Sequence, residues 1–221
     1  MQEFDTIIIG SGVGGLSTAI CLARAGQKVL VLEQHYVPGG WSHSFTLKGQ
    51  RFSPGVHYVG QLEEGQSTNE LYRGLGIAND MVFFRMNKNA YEHCLIGDET
   101  FDLPAGAENL KKTLSNHFPH EEKNINEYLS LVQKVSYELQ LIPTLKGFWQ
   151  NITVPFRTKH FGKFALFPLK KVIGWHVKDP KLKAVLNIQC GDHGLPPSRA
   201  CFPVHCSVMS HYFDGGFYPM G

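Results

Sequence analysis

Two short apolar runs, Thr6-Ile7-Ile8-Ile9 and Val29-Leu30-Val31-Leu32, stand either side of a stretch rich in helix formers, Leu16 to Ala25. The runs are too short and too branched for helices and predict two strands, the second buried on both faces. Gly26 sits where the intervening helix would stop. Strand, helix and strand in that order predict a parallel βαβ unit.

The pattern changes further along. Ser44 to Leu47 and Arg51 to Ser53 flank Lys48-Gly49-Gln50 as a hairpin. Ser67 and Glu70 have the spacing of a capping box before Leu71-Tyr72, and Gly74 and Gly76 end a short helix. Met81 to Met86, Ala90 to Ile96 and Thr100 to Leu103 read as strands, while Ala107 to Phe118 and Asn126 to Leu141 have helical periodicity. Asp179-Pro180 is an N-cap followed by a first-position proline, opening a helix toward Cys190. A last helix spans Ser198 to Phe213, restarted or kinked by Pro203. The fold class is therefore α/β: a Rossmann-like βαβ unit with an incomplete parallel sheet, and an inserted α+β domain. The expected boundaries are 1–78 for the first part, 79–205 for the insert and 206–221 for the start of a return segment.

The turn between the first strand and helix is Gly10-Ser11-Gly12-Val13-Gly14-Gly15. A GxGxxG match alone is weak, but here it opens a helix after a strand and an acid, Glu33, closes the next strand. Gly10 allows the tight turn, Gly12 lets the backbone approach a pyrophosphate, and Gly15 lets the helix pack closely. The helix N-terminus offers N–H groups and a positive dipole end to phosphates. Glu33, 23 residues after Gly10, would accept from ribose hydroxyls and repel a 2′-phosphate, which favours FAD or NAD over NADP. Pro38-Gly39-Gly40 follows within one short loop, where two adjacent glycines bring backbone amides to a phosphate or flavin.

The run IIIGSGVGGLSTAICLARAGQKVLVLEQHYVPGGWSHSF, followed by RFSPGVHYVG, resembles the phytoene desaturase, carotenoid isomerase and retinol saturase group of FAD-dependent oxidoreductases. The likeness is closest to the retinol saturase-like branch, and SVMSHYFDGGFYPMG at 207–221 resembles a YPxGG element of those proteins. The resemblance implies FAD bound through Gly10, Ser11, Gly12, Gly14, Gly15, Glu33, Gly39 and Gly40, with NAD the lesser option. It implies chemistry on the double bonds of an apolar polyene such as a carotenoid or retinoid, by desaturation, saturation or isomerisation. It also sets the GVHY segment near the flavin, making His57 the candidate catalytic residue. Members of the group are longer and return late to the nucleotide domain, so the chain is expected to be a fragment that holds flavin weakly by itself.

Composition narrows the partners. A net charge of +2 and the lack of nucleic-acid motifs exclude a general case for nucleic acid. The first strand starts at once, without a leader, and five cysteines without CxxC spacing fit reduced thiols, so a cytoplasmic protein is expected. Between Leu139 and Lys178 seven basic residues and no acid are interleaved with Phe148, Trp149, Phe156, Phe161, Phe164, Phe167 and Trp175. That mixture suits either a solvated face over an aromatic core or, over 146–178, peripheral contact with an anionic membrane. Cys201, His205 and Cys206 read as packing residues, with no metal expected. Two other functions share the opening motif: an amine-oxidase-like flavoenzyme, and a non-catalytic lipid or prenyl-binding protein of the GDP-dissociation-inhibitor-like fold.

Overall fold

The computed structural model describes residues 3–147 and 152–220, and the chain divides into two units, 1–84 with 217–221 and 85–216. In the first unit β1 (Thr6–Ile9), α1 (Val13–Arg24) and β2 (Val29–Leu32) form the βαβ unit, with the strands parallel and in register from Thr6 opposite Val29 to Ile9 opposite Leu32. The expected burial of β2 on both faces does not occur: Leu32 is exposed, as are Ile7 and Ile9 on β1, Ile9 to 88%. A parallel strand is buried by neighbours and by helices on both faces, and among the described residues this sheet has two strands only.

Beyond β2 the chain makes a hairpin of β3 (Phe45–Leu47) and β4 (Gln50–Phe52). Its turn is Lys48-Gly49, one residue shorter than expected, because Leu47 pairs directly with Gln50. Both turn residues have positive φ, 49° and 77°, the twist that matches flanking strands. α2 (Ser67–Leu75) follows, but its capping box does not form. Gln66 occupies the cap position and the Ser67 hydroxyl donates to Gln61 Oε1. Gly76, left-handed at φ 70°, ends the helix as expected. β5 (Phe83–Arg85) then leads out of the unit.

The second unit begins with the antiparallel pair β6 (Glu92–Ile96) and β7 (Glu99–Leu103) and is otherwise helical. α3 (Ala107–His117) packs on the long α4 (Glu122–Leu141), which starts four residues before the expected Asn126. The extra turn is anchored by buried Glu121, which accepts from Asn124 Nδ2 (2.5 Å) and from the amides of Lys178 (2.7 Å) and Asp179 (2.6 Å). Burial pushes this carboxyl up, but those hydrogen bonds and nearby His120 outweigh it and hold the group below its ordinary value. Ile125, Tyr128, Leu129, Val132 and Val135 form the inward stripe of α4 at three- and four-residue spacing, all fully buried.

Around that stripe pack shorter helices: α5 (Val154–Arg157), α6 (Lys159–Phe164), α7 (Leu169–His176), α8 (Pro180–Leu186), α9 (Cys190–His193) and α10 (Phe202–His211). Asp179 caps α8 as expected, accepting from the amides of Lys181 (2.8 Å) and Leu182 (3.0 Å). Pro203 sits in the first turn of α10, so it starts that helix and no kink arises. Part of the aromatic content of 146–178 is core: buried Phe164 stacks edge-on against Phe202 at 5.6 Å, whereas Phe156 and Trp175 are exposed. Phe148 and Trp149 lie outside the described residues. The chain finally re-enters the first unit as β8 (Phe217–Pro219), paired with β5, and Val59 and Phe217 exchange backbone hydrogen bonds of 2.9 and 2.8 Å. No helix of the described residues is long and apolar enough to cross a membrane.

Candidate functional site: a dinucleotide cradle

The eight glycine, serine and glutamate positions predicted to bind a dinucleotide converge at the mouth of the βαβ unit. Gly10 leaves β1 at φ 96° and its amide donates to the Leu32 carbonyl at 2.7 Å, tying the turn to the end of β2. Gly15 lies so close beneath this turn that a Cβ on it would stand 2.1 Å from the Gly10 carbonyl oxygen. Only glycine permits that approach of helix to turn. At Gly12 and Gly14 a Cβ would meet nothing within 4 Å. Gly12 is the N-cap of α1, no side chain caps the helix, and its first turn carries no acid. An uncapped N-terminus beside open space is what a diphosphate requires.

Ser11 is the pin of the cradle. It is buried, its hydroxyl donates to Glu33 Oε2 at 2.5 Å, and its amide donates to the same oxygen at 2.8 Å. The Gly39 amide reaches both the Ser11 carbonyl and the Ser11 hydroxyl oxygen, each at 3.1 Å. That amide is thus engaged within the protein, and Gly39 contributes by bringing its loop beside Gly12, with which it forms a parallel bridge. Gly40 continues the contact: a Cβ there would lie 3.0 Å from the Gly12 Cα. Glu33 Oε1 accepts from the His35 amide at 2.8 Å. The Ser11 hydroxyl first, then the His35 and Ser11 amides, pull the Glu33 carboxyl down to about 2. It is therefore a fixed anion at neutral pH, half-exposed. A carboxylate offers about four acceptor positions, which leaves capacity beyond these three protein donors.

The loop that leaves Gly40 runs straight into a cavity of about 320 Å³ in the same unit. His57 lines it, together with His43, Arg51, Tyr72, Met81 and Phe83. Its lining is mixed, with Ser42, Ser44 and Ser53 beside the histidines and arginine, and its size suits a small-molecule site. His43 was not singled out from the sequence, although the HSF segment containing it belongs to the resemblance. Its Nδ1 contacts the Gly40 carbonyl at 2.5 Å, which ties the cavity wall to the glycine pair.

The match to a family model of the NAD(P)-binding Rossmann-like domain covers residues 8–75, which include the whole cradle and His57. All-trans-retinol 13,14-reductase of Danio rerio is 31% identical over 231 aligned positions, covering 100% of this chain and 38% of that protein. Prolycopene isomerase 2, chloroplastic, of an Oncidium hybrid cultivar is 24% identical over 235 positions, covering 100% of this chain and 39% of its own length. The chain is thus similar along its whole length to all-trans-retinol 13,14-reductases and prolycopene isomerases. Its expected kinship with that group is thereby met, and it spans less than two fifths of the length of these relatives. Among solved structures a wild-type putrescine oxidase bound to putrescine superimposes with a TM-score of 0.63 at 16% identity, covering 100% of this chain and 46% of that one. At that identity the likeness establishes the shared fold alone.

Proposed function

We propose that this retinol saturase homologue binds FAD in its cradle and forms part of an oxidoreductase acting on the double bonds of an apolar polyene. The observation that carries the reading is the junction at Ser11. One buried hydroxyl holds the ribose-directed acid and, through Gly39, the loop that leads to the cavity. Glu33 offers its remaining acceptor position to a ribose hydroxyl of an adenosine moiety and opposes a 2′-phosphate, and the α1 N-terminus offers N–H groups to the diphosphate. These residues fit FAD, with NAD the lesser option.

Bound there, FAD would supply the two-electron chemistry that the polyene reaction needs. The chain's own residues orient and shield. Tyr72, Met81 and Phe83 give the cavity apolar contacts for a polyene, while His57 and His43, with Arg51, are among the polar groups available to a reacting carbon or the ring system. No acid–base pair needs to stand out where the cofactor carries the reaction.

The test uses the full chain loaded with FAD under anaerobic conditions, with flavin absorbance followed on addition of all-trans-retinol or of putrescine. Retinol should perturb the flavin spectrum in a saturable way and putrescine should not, and His57→Ala should weaken the retinol response by ~10-fold, about 1.4 kcal/mol. Bleaching of the flavin by the diamine, with no response to the polyene, would replace this reading with the amine-oxidase-like one.

A further inference from the structure

Away from the cradle, in the second unit, Cys190, His193 and His205 bring one donor atom each to within 4.8 Å of one another. The short helix α9 sets Cys190 and His193 three residues apart on one face, and α10 supplies His205. We propose that these three side chains bind a single zinc(II) ion.

The geometry of the imidazoles supports this. His205 Nε2 lies 3.1 Å from the Leu186 carbonyl oxygen, which can only accept, so that nitrogen carries the proton. The unprotonated Nδ1 of His205 therefore points at His193 Nε2, 3.4 Å away. Two nitrogens each 2.0–2.1 Å from a tetrahedral zinc ion stand about 3.3–3.4 Å apart. The Leu186 carbonyl plays the part usual behind a metal-bound histidine, fixing the tautomer and the ring direction.

The other two side chains are held by few polar contacts. His193 Nδ1 is buried without a hydrogen bond, so the protein's polar contacts leave that ring incompletely fixed. The Cys190 sulfur is half-buried and its contact with Asn187 Oδ1 is long, 3.8 Å. One thiolate with two imidazoles is a borderline-soft set that selects zinc among the abundant divalent ions, with water completing four-coordination. Binding would release the Cys190 thiol proton to solvent as the Zn–S bond forms, and would tie α9 to α10. The spacing C-x-x-H followed by a histidine twelve residues on was hidden in the sequence by the adjacent Cys201 and Cys206, which lie outside the cluster.

The test uses the purified full chain, stripped with chelator, dialysed against zinc and analysed for metal content, then repeated with cobalt(II) as a spectroscopic probe. One equivalent of metal is expected, with a near-ultraviolet thiolate-to-cobalt absorption band. Cys190→Ser should abolish the band, His193→Asn should weaken zinc binding at least ~10-fold, and Cys201→Ser should change neither. Both variants alter half-exposed positions, and circular dichroism of each reports whether it is folded. Absence of bound metal in the unaltered chain, or binding that survives both Cys190→Ser and His193→Asn, would overturn the proposal whatever the cradle binds.

Discussion

At the scale of single residues, Glu33 holds its charge because Ser11 holds Glu33. A carboxyl drawn from an ordinary value of 4.5 to about 2 favours the folded unit while it is ionised. That contribution is complete above pH 4.5 and disappears as the pH falls through about 2. Carbon-detected NMR titration of the Glu33 carboxyl should find it titrating near the lower limit, and Ser11→Ala should move it upward toward the ordinary range. An unmoved titration in that variant would mean that the hydroxyl is not the principal donor. The cradle residues were legible in the sequence because each answers a local demand: a turn, a close helix, an acid at a strand end. Ser11's role as a pin was not, since it depends on Gly39, 28 positions away. The approach of His205 to Cys190 and His193 was hidden for the same reason.

At the scale of elements, caps and turns show where local rules hold and where they yield. Asp179 accepts two amides at the start of α8 and stands beside His120, 3.1 Å away. Asp179→Ala should cost about 1 kcal/mol, read as a lower urea midpoint with unchanged slope. The Ser67 and Glu70 spacing had the same apparent strength and failed, because Gln61 takes the serine hydroxyl and Gln66 becomes the cap. Helices α3 and α4 were visible through their buried stripes, whereas the first turn of α4 was not, because it hangs on Glu121 and the distant amides of Lys178 and Asp179. The exposure of Leu32 on β2 has a reason of a different kind. An all-apolar strand signals neighbours on both sides, and the sequence of the strand does not say which chain segment supplies them.

At the scale of the whole molecule, the two units carry different kinds of content. The second has a continuous core of fully buried side chains on α4, α7, α8 and α10. The first holds the glycine turn and Glu33 and leaves Ile7, Ile9, Val13 and Leu32 exposed. We propose that the cradle recognises the adenosine diphosphate half of FAD, and calorimetric titration of the full chain decides the matter. FAD should bind with ADP-ribose as competitor, FMN and NADP should bind at least ~10-fold more weakly, and Glu33→Gln should weaken FAD by ~10-fold through loss of a charge-assisted acceptor. Equal affinity for FMN and FAD, or an FAD affinity indifferent to Glu33, would contradict it.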